Sequence, residues 1–152
     1  MVGRSDARRN RQRLLEAATA AFTAHGASVS LESIARDAGV GIGTLYRHFP
    51  NREALVEAVY RAELAEVAAA AAQLLERHPP KAALRRWMDR YASFVATKRG
   101  MAESLQAIFE SGALVPSQTR DSIVAPSRRC CAPAPTMPAC APTCRPTTWC
   151  PA

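Results

Sequence analysis

Apolar residues along this chain recur at helical rather than alternating spacing, and the pattern predicts a succession of helices. Leu14, Leu15, Ala18, Ala21 and Phe22 fall at i, i+1, i+4, i+7 and i+8, on one face of a first helix. Asp6 is expected to cap its start and Gly26 to end it. Leu31, Ile34, Ala35 and Ala38 give a second, short helix, with the Ser30 hydroxyl placed for its free amides and Gly39 as its stop. A third begins at Gly41 and turns Leu45 and Phe49 inward; Val40 plugs the small core and Pro50 stops the helix. Asn51 should cap a fourth, in which Leu55, Val59, Leu64, Val67, Leu74 and Leu75 hold the period until His78, Pro79 and Pro80. At ~1.5 Å per residue that helix spans on the order of 40 Å, enough to join two domains.

Leu84, Trp87, Met88, Tyr91, Phe94 and Val95 then form a stripe at i, i+3, i+4, i+7, i+10 and i+11 of a fifth helix. Leu105, Ile108 and Phe109 mark a sixth between Met101 and Glu110, stopped by Gly112, and Ser117 starts a seventh that reaches Ile123 and Val124. No strand alternation and no internal repeat interrupts this series, so the expected fold class is all-α. From Pro126 the character changes. Most of the chain's 11 prolines follow, no acid comes after Asp121, and residues 126–152 are expected to form a disordered tail rich in Pro and Cys.

Composition adds a partner. With 48% hydrophobic and 22% charged residues the chain can bury one good core or two small ones. Its formal charge of +7 suits a polyanion, although a uniformly basic surface would give the same total. Distribution separates the two: Arg4, Arg8, Arg9, Arg11 and Arg13 crowd the first thirteen residues against Asp6 alone. We read this as a mobile arm that attracts phosphates, with entry into a minor groove as the alternative. No apolar run reaches about 18 residues and no signal-like core opens the chain, so a cytoplasmic protein without a membrane partner is expected.

Chemistry of other kinds finds little support. His25, His48 and His78 are scattered, and no phosphate-binding glycine loop is present, so neither catalysis nor a cofactor is expected. Cys130, Cys131, Cys140, Cys144 and Cys150 all lie in the tail without a C-x-x-C pair, and no histidine follows His78, so no metal site is expected.

A short helix, a glycine turn and a short helix with a polar outer face is the geometry that presents a helix end to the DNA major groove. Small helical bundles of other kinds contain such pairs too. A longer pattern narrows the choice: Arg13-Leu14-Leu15-Glu16-Ala17-Ala18, Phe22, His25-Gly26, Ser33-Ile34-Ala35, Ala38-Gly39-Val40, Gly43-Thr44-Leu45-Tyr46, His48-Phe49, Asn51-Arg52-Glu53 and Leu55. Over about Arg8 to Tyr60 the chain resembles the DNA-binding domain of TetR-type (tetracycline-repressor-like) regulators. The resemblance implies a helix-turn-helix domain over residues 1–54 and a partial helical domain for ligand binding and dimerisation over residues 55–125.

It also assigns roles. Ile42, Gly43, Thr44 and Arg47 take the positions that approach base edges, where Thr44 offers a hydroxyl and a methyl and Arg47 a bidentate fork for guanine. Tyr46, His48 and Arg52 take phosphate positions; Ser30 and Ser33 are further phosphate candidates through helix-terminal amides. Against these stand plainer readings: Tyr46 packing its ring, His48 as a solvated histidine, Arg52 as an ordinary first-turn surface residue. Two positions depart from the family pattern. Gly41 replaces the usual Ser or Thr cap, and Arg52 replaces the usual lysine while keeping its charge. Trp87, Met88, Tyr91 and Phe94, with Phe109, would line an effector cavity as the resemblance implies, or pack as core.

The tail has a further reading. Written in GC-rich codons and read two bases later, the chain from Ala125 can encode A-L-A-T-L-L-R-A-G-A-D-D-A-S-M-R-A-D-V, which restores helical spacing and supplies acids. Trp149 followed by Cys150 must read as valine in that frame. The expectation is a frameshift that replaced the last helices of the control domain; resequencing the gene decides it. In the family those helices form the homodimer that sets two recognition helices ~34–36 Å apart, and this chain would lack them. The expected function is a ligand-responsive transcriptional repressor with a double-stranded DNA operator and a small-molecule effector as partners. A small helical module binding acidic proteins, or an inactive fragment of such a regulator, are the competing readings.

Overall fold

The computed structural model describes residues 3–114 together with Asp121, Ile123 and Val124. The start of the seventh helix at Ser117, the tail with its cysteines, and the side chain of Arg4 lie outside the described residues. Six helices run in order: α1 Gly3–His25, α2 Leu31–Asp37, α3 Ile42–His48, α4 Arg52–Arg77, α5 Pro80–Gly100 and α6 Ala102–Glu110. Among the described residues there is no strand, in keeping with the all-α expectation.

Helix boundaries follow local chemistry. Gly26 and Gly39, both at φ 65°, end α1 and α2 in the left-handed region that other residues enter only with strain. The Ser30 hydroxyl accepts from the Ser33 amide at 3.1 Å and caps α2, and the Asn51 side chain accepts from the Ala54 amide at 2.8 Å and caps α4. Gly41, the N-cap of α3, makes no such bond. One boundary differs from expectation. The first helix starts at Gly3, so Asp6 lies in its first turn rather than at the cap, where its charge still meets the positive end of the helix dipole. Arg8 and Arg9 therefore stand on a helix as exposed side chains, not on a mobile arm, because the Ala, Arg and Gln around them are good helix formers.

Burial joins the elements into one core. Leu14, Phe22, Ile34 and Leu45 from the first three helices are fully buried, and so are Leu55, Val56, Val59 and Tyr60 of α4. The same cluster continues through Val67, Trp87, Phe94, Leu105 and Ile108. Each large side chain of this kind contributes about 1.5–3 kcal/mol when fully buried.

The fifth helix packs on both α4 and α1. Its last turn meets the end of α1 backbone to backbone: a Cβ on Gly100 would lie 1.9 Å from the Phe22 carbonyl oxygen. One turn earlier the hydroxyls of Thr97 and Thr23 are 2.8 Å apart and hydrogen-bonded. The inward face of α5 is thus rotated from the one its large apolar residues suggest. Ala83 and Thr97 are buried with Trp87 and Phe94, whereas Met88 is 58% exposed and Tyr91 36%. Two polar contacts complete the α1–α4–α5 packing. The Thr19 hydroxyl donates to the Glu63 carboxylate at 3.4 Å, and Arg90 of α5 pairs with Glu66 of α4. Partial burial, then repulsion from Glu66, raises the Glu63 pKa above its ordinary value against the opposing Thr19 bond and Arg90 charge.

Candidate nucleic-acid interface

The reading head is built on a small, tight core. Ile34, Ala35 and Ala38 of α2 are buried, the Val40 amide donates to the Ala35 carbonyl at 3.0 Å across the turn, and Leu45 and Phe49 fill the space beneath α3. With Leu45 and Phe49 held at 0% and 2% exposure, the remaining faces of this seven-residue helix are fixed. Ile42 and Tyr46 are exposed at 37% and 44%, Gly43 and Arg47 are exposed, and Thr44 and His48 are half-buried. The structure therefore brings Ile42, Gly43, Tyr46 and Arg47 to one outer surface, with Thr44 and His48 at its margins. Nothing lies within 4 Å of where a Cβ on Gly43 would stand, so a partner backbone can approach there closely.

Neighbouring groups extend this surface. Ser30 is exposed, and its hydroxyl is engaged as the α2 cap. The Ser33 hydroxyl, half-buried, accepts from Arg36 at 3.3 Å. Two arginines of the expected arm, Arg11 and Arg13, are placed by α1 against the head. The Arg11 guanidinium lies 5.3 Å over the Phe49 ring, and an Arg13 nitrogen sits 3.7 Å from where a Gly39 Cβ would be.

Arg52, expected at a phosphate, has partners within the chain. Its guanidinium donates to the carbonyls of Val29 at 2.5 Å and Ala27 at 2.7 Å and lies 5.3 Å over the Phe22 ring. It ties the first turn of α4 to the α1–α2 connection. One sequence signal could have found this clasp. An arginine in a helix's first turn faces the positive end of the dipole, a position that favours acids, so its charge needs acceptors elsewhere.

Comparison with known proteins places the chain. A TetR transcriptional regulator from Streptomyces coelicolor has a similar structure, with TM-score 0.71 and 42% identity over 79% of this chain and 69% of that one. A TetR transcription regulatory protein from Mycobacterium vanbaalenii gives TM-score 0.63 and 35% identity over 83% and 80%. The chain belongs to the TetR family. The model of bacterial regulatory proteins of the tetR family matches residues 14–59, from the middle of α1 into α4, which is the segment that holds the head just described. An HTH-type transcriptional regulator of Staphylococcus aureus (strain USA300) is 42% identical over 62 residues, 40% of this chain. The chain spans about a third of the length of the curated relatives it matches there. Membership in a family of regulators accords with the expectation of a non-enzyme.

The residues that TetR resemblance assigned to an effector cavity are arranged as a ladder. Trp87 stacks on Tyr91 with centroids 5.6 Å apart, Tyr91 meets Phe94 at 6.2 Å, and Tyr60 bridges Phe94 at 5.7 Å and Phe109 at 5.9 Å. Tyr60 at the centre is fully buried and stands on the apolar period of α4, four residues before Leu64 and seven before Val67; that spacing marks a core position but does not tell which rings it meets. Met88 stands apart, on an open groove with Pro79, Leu84 and Arg85. No helix among the described residues is long and apolar enough to cross a membrane.

Proposed function

We propose that this TetR-family chain is a sequence-specific DNA-binding transcriptional regulator, a repressor that leaves its operator when a small-molecule effector binds. One observation carries the reading: the exposed outer face of α3, Ile42, Gly43, Tyr46 and Arg47, backed by the fully packed pair Leu45 and Phe49. Arg47 and Thr44 are the base readers, since only they offer hydrogen-bonding groups among the four base-edge positions. Tyr46 and His48 hold phosphates, with Ser30, Ser33 and the exposed Arg8 and Arg9 of α1 as further backbone contacts. Arg52 serves the same surface indirectly, by fixing α4 to the α1–α2 connection.

The test is binding to duplex DNA from the region upstream of its own gene, at several salt concentrations. Arg47→Ala should weaken binding by about 1–3 kcal/mol and relax the sequence preference. Tyr46→Ala should weaken binding about equally on all sequences. If both variants bind with unchanged affinity and unchanged salt slope, α3 is not the reading element, and a module for acidic protein partners becomes the better account.

A further inference from the structure

Arg11 stands where the pattern of α1 calls for a core residue. It lies three residues before Leu14, four before Leu15 and seven before Ala18, so it continues the buried face of the helix by one turn. The ring it covers is that of Phe49, itself 2% exposed. An apolar side chain would cover that ring as well; a guanidinium adds a charge and a fork of N–H donors. We propose that Arg11, with His48 beside it, seats one phosphate of the DNA backbone flanking the bases that α3 reads. This rests on the DNA-binding reading above and adds to it a fixed contact from α1, apart from the exposed Arg8 and Arg9.

Arg11 is fixed in place without an acceptor. Its guanidinium lies 5.3 Å over the Phe49 ring, and no hydrogen bond or ion pair among the described residues takes up its donors. Arg13, Arg36 and Arg52, the other arginines held in the head, give theirs to Asn10, Ser33 and two backbone carbonyls. A ring face fixes the plane of a guanidinium and leaves the N–H groups at its edge free, so little rotamer freedom is left to lose when an anion arrives. His48, the last residue of α3, has its ring centroid 6.3 Å from that of Phe49, so both donors border the same aromatic. Both also line a groove of about 450 Å³ with Ala54 and Ala58 of α4. Glu57 is the one carboxylate among the described residues lining it. Arg61 pairs with Glu57 at 2.7 Å while donating also to the Ala113 carbonyl at 3.1 Å. That pair cancels, and the charge of Arg11 is left uncompensated in the groove. His48 directly follows Tyr46 and Arg47 in α3, so the groove opens at the edge of the surface that faces the DNA. A phosphate there accepts from both sides, with charge-assisted bonds from the arginine.

The experiment uses the full chain and duplex DNA from the region upstream of its own gene. Arg11→Met keeps a long side chain on Phe49 and removes the charge and the donors. With the parent's urea midpoint, it should weaken binding about tenfold on every sequence bound. The slope of log affinity against log salt should become shallower by about 0.9. Arg11→Lys, which keeps the charge, should restore the slope. If the methionine variant unfolds, Arg11→Gln serves the same comparisons. Single neutral methylphosphonates placed along the bound strands locate the seat. One of them, flanking the bases that α3 contacts, should cost the parent about tenfold and cost Arg11→Met nothing further. An unchanged slope in Arg11→Met, while Tyr46→Ala still weakens binding, overturns the proposal and leaves the DNA-binding reading standing. So does a shallower slope with no methylphosphonate whose cost disappears in Arg11→Met, since Arg11 would then act only as diffuse charge. No binding by the parent overturns both.

Discussion

Arg52 illustrates how a single side chain divides between binding and architecture. A guanidinium that serves two carbonyls and an aromatic face ties elements of the fold together, so its loss should be felt as stability. Arg52→Gln is expected to lower unfolding free energy by about 1–3 kcal/mol, read from the urea midpoint, while the salt slope of DNA binding stays unchanged. Glu63 gives a prediction with pH. Its folded pKa is raised, so the protonated form favours the fold. That contribution is full below the unfolded value near 4.5 and is lost as pH rises through the higher folded value. Glu63→Gln, which keeps a neutral acceptor for Thr19, should therefore melt higher than the parent at pH 7, and the difference should shrink as pH falls toward 4.5. An equal difference at both pH values would mean the carboxylate is not held against its charge. Neither role was legible in sequence, because each depends on which carbonyl, ring or hydroxyl another helix brings near.

Among the elements, those fixed by local rules were readable: the α2 and α4 caps at Ser30 and Asn51, the glycine stops, and the inward pair Leu45 and Phe49 of α3. Helix α5 was readable as a helix but not in its rotation. Its large apolar residues point to a face through Met88, yet Ala83 and Thr97 are buried beside Trp87 and Phe94 while Met88 is exposed, since α1 crosses it at Gly100. Small and hydroxylated residues carry no weight in a hydrophobic period, though they decide how closely two helices approach. Gly100→Ala would place a methyl 1.9 Å from the Phe22 oxygen, and backbone cannot yield as a side-chain tip can. A loss of about 1–3 kcal/mol is expected from that overpacking. Thr97→Val, which keeps shape and removes one partner of the Thr23 bond, should cost about 1 kcal/mol. Paired melts of the two variants against the parent check the order of these effects.

For the molecule as a whole, the family resemblance implies a division at about residue 54, with a reading head before it and a control region after it. The core crosses that line without a break: Phe22, Leu55, Tyr60 and Phe94 belong to one cluster, and α5 is fastened to α1 directly as well as through α4. Shared burial of this extent means that neither part can lose its packing alone without exposing apolar surface of the other. Unfolding is therefore expected to be a single transition over residues 3–114. In a Trp149→Phe chain, Trp87 fluorescence reports the control side and far-UV circular dichroism reports all helices; urea curves from the two should superimpose. Tyr46→Trp in a Trp87→Phe, Trp149→Phe background puts the sole reporter on α3, and its fluorescence midpoint should equal the circular-dichroism midpoint of that same variant. A lower midpoint there would mean that the head unfolds as a unit of its own, and that the Gly100 and Thr97 contacts with α1 add nothing to its stability.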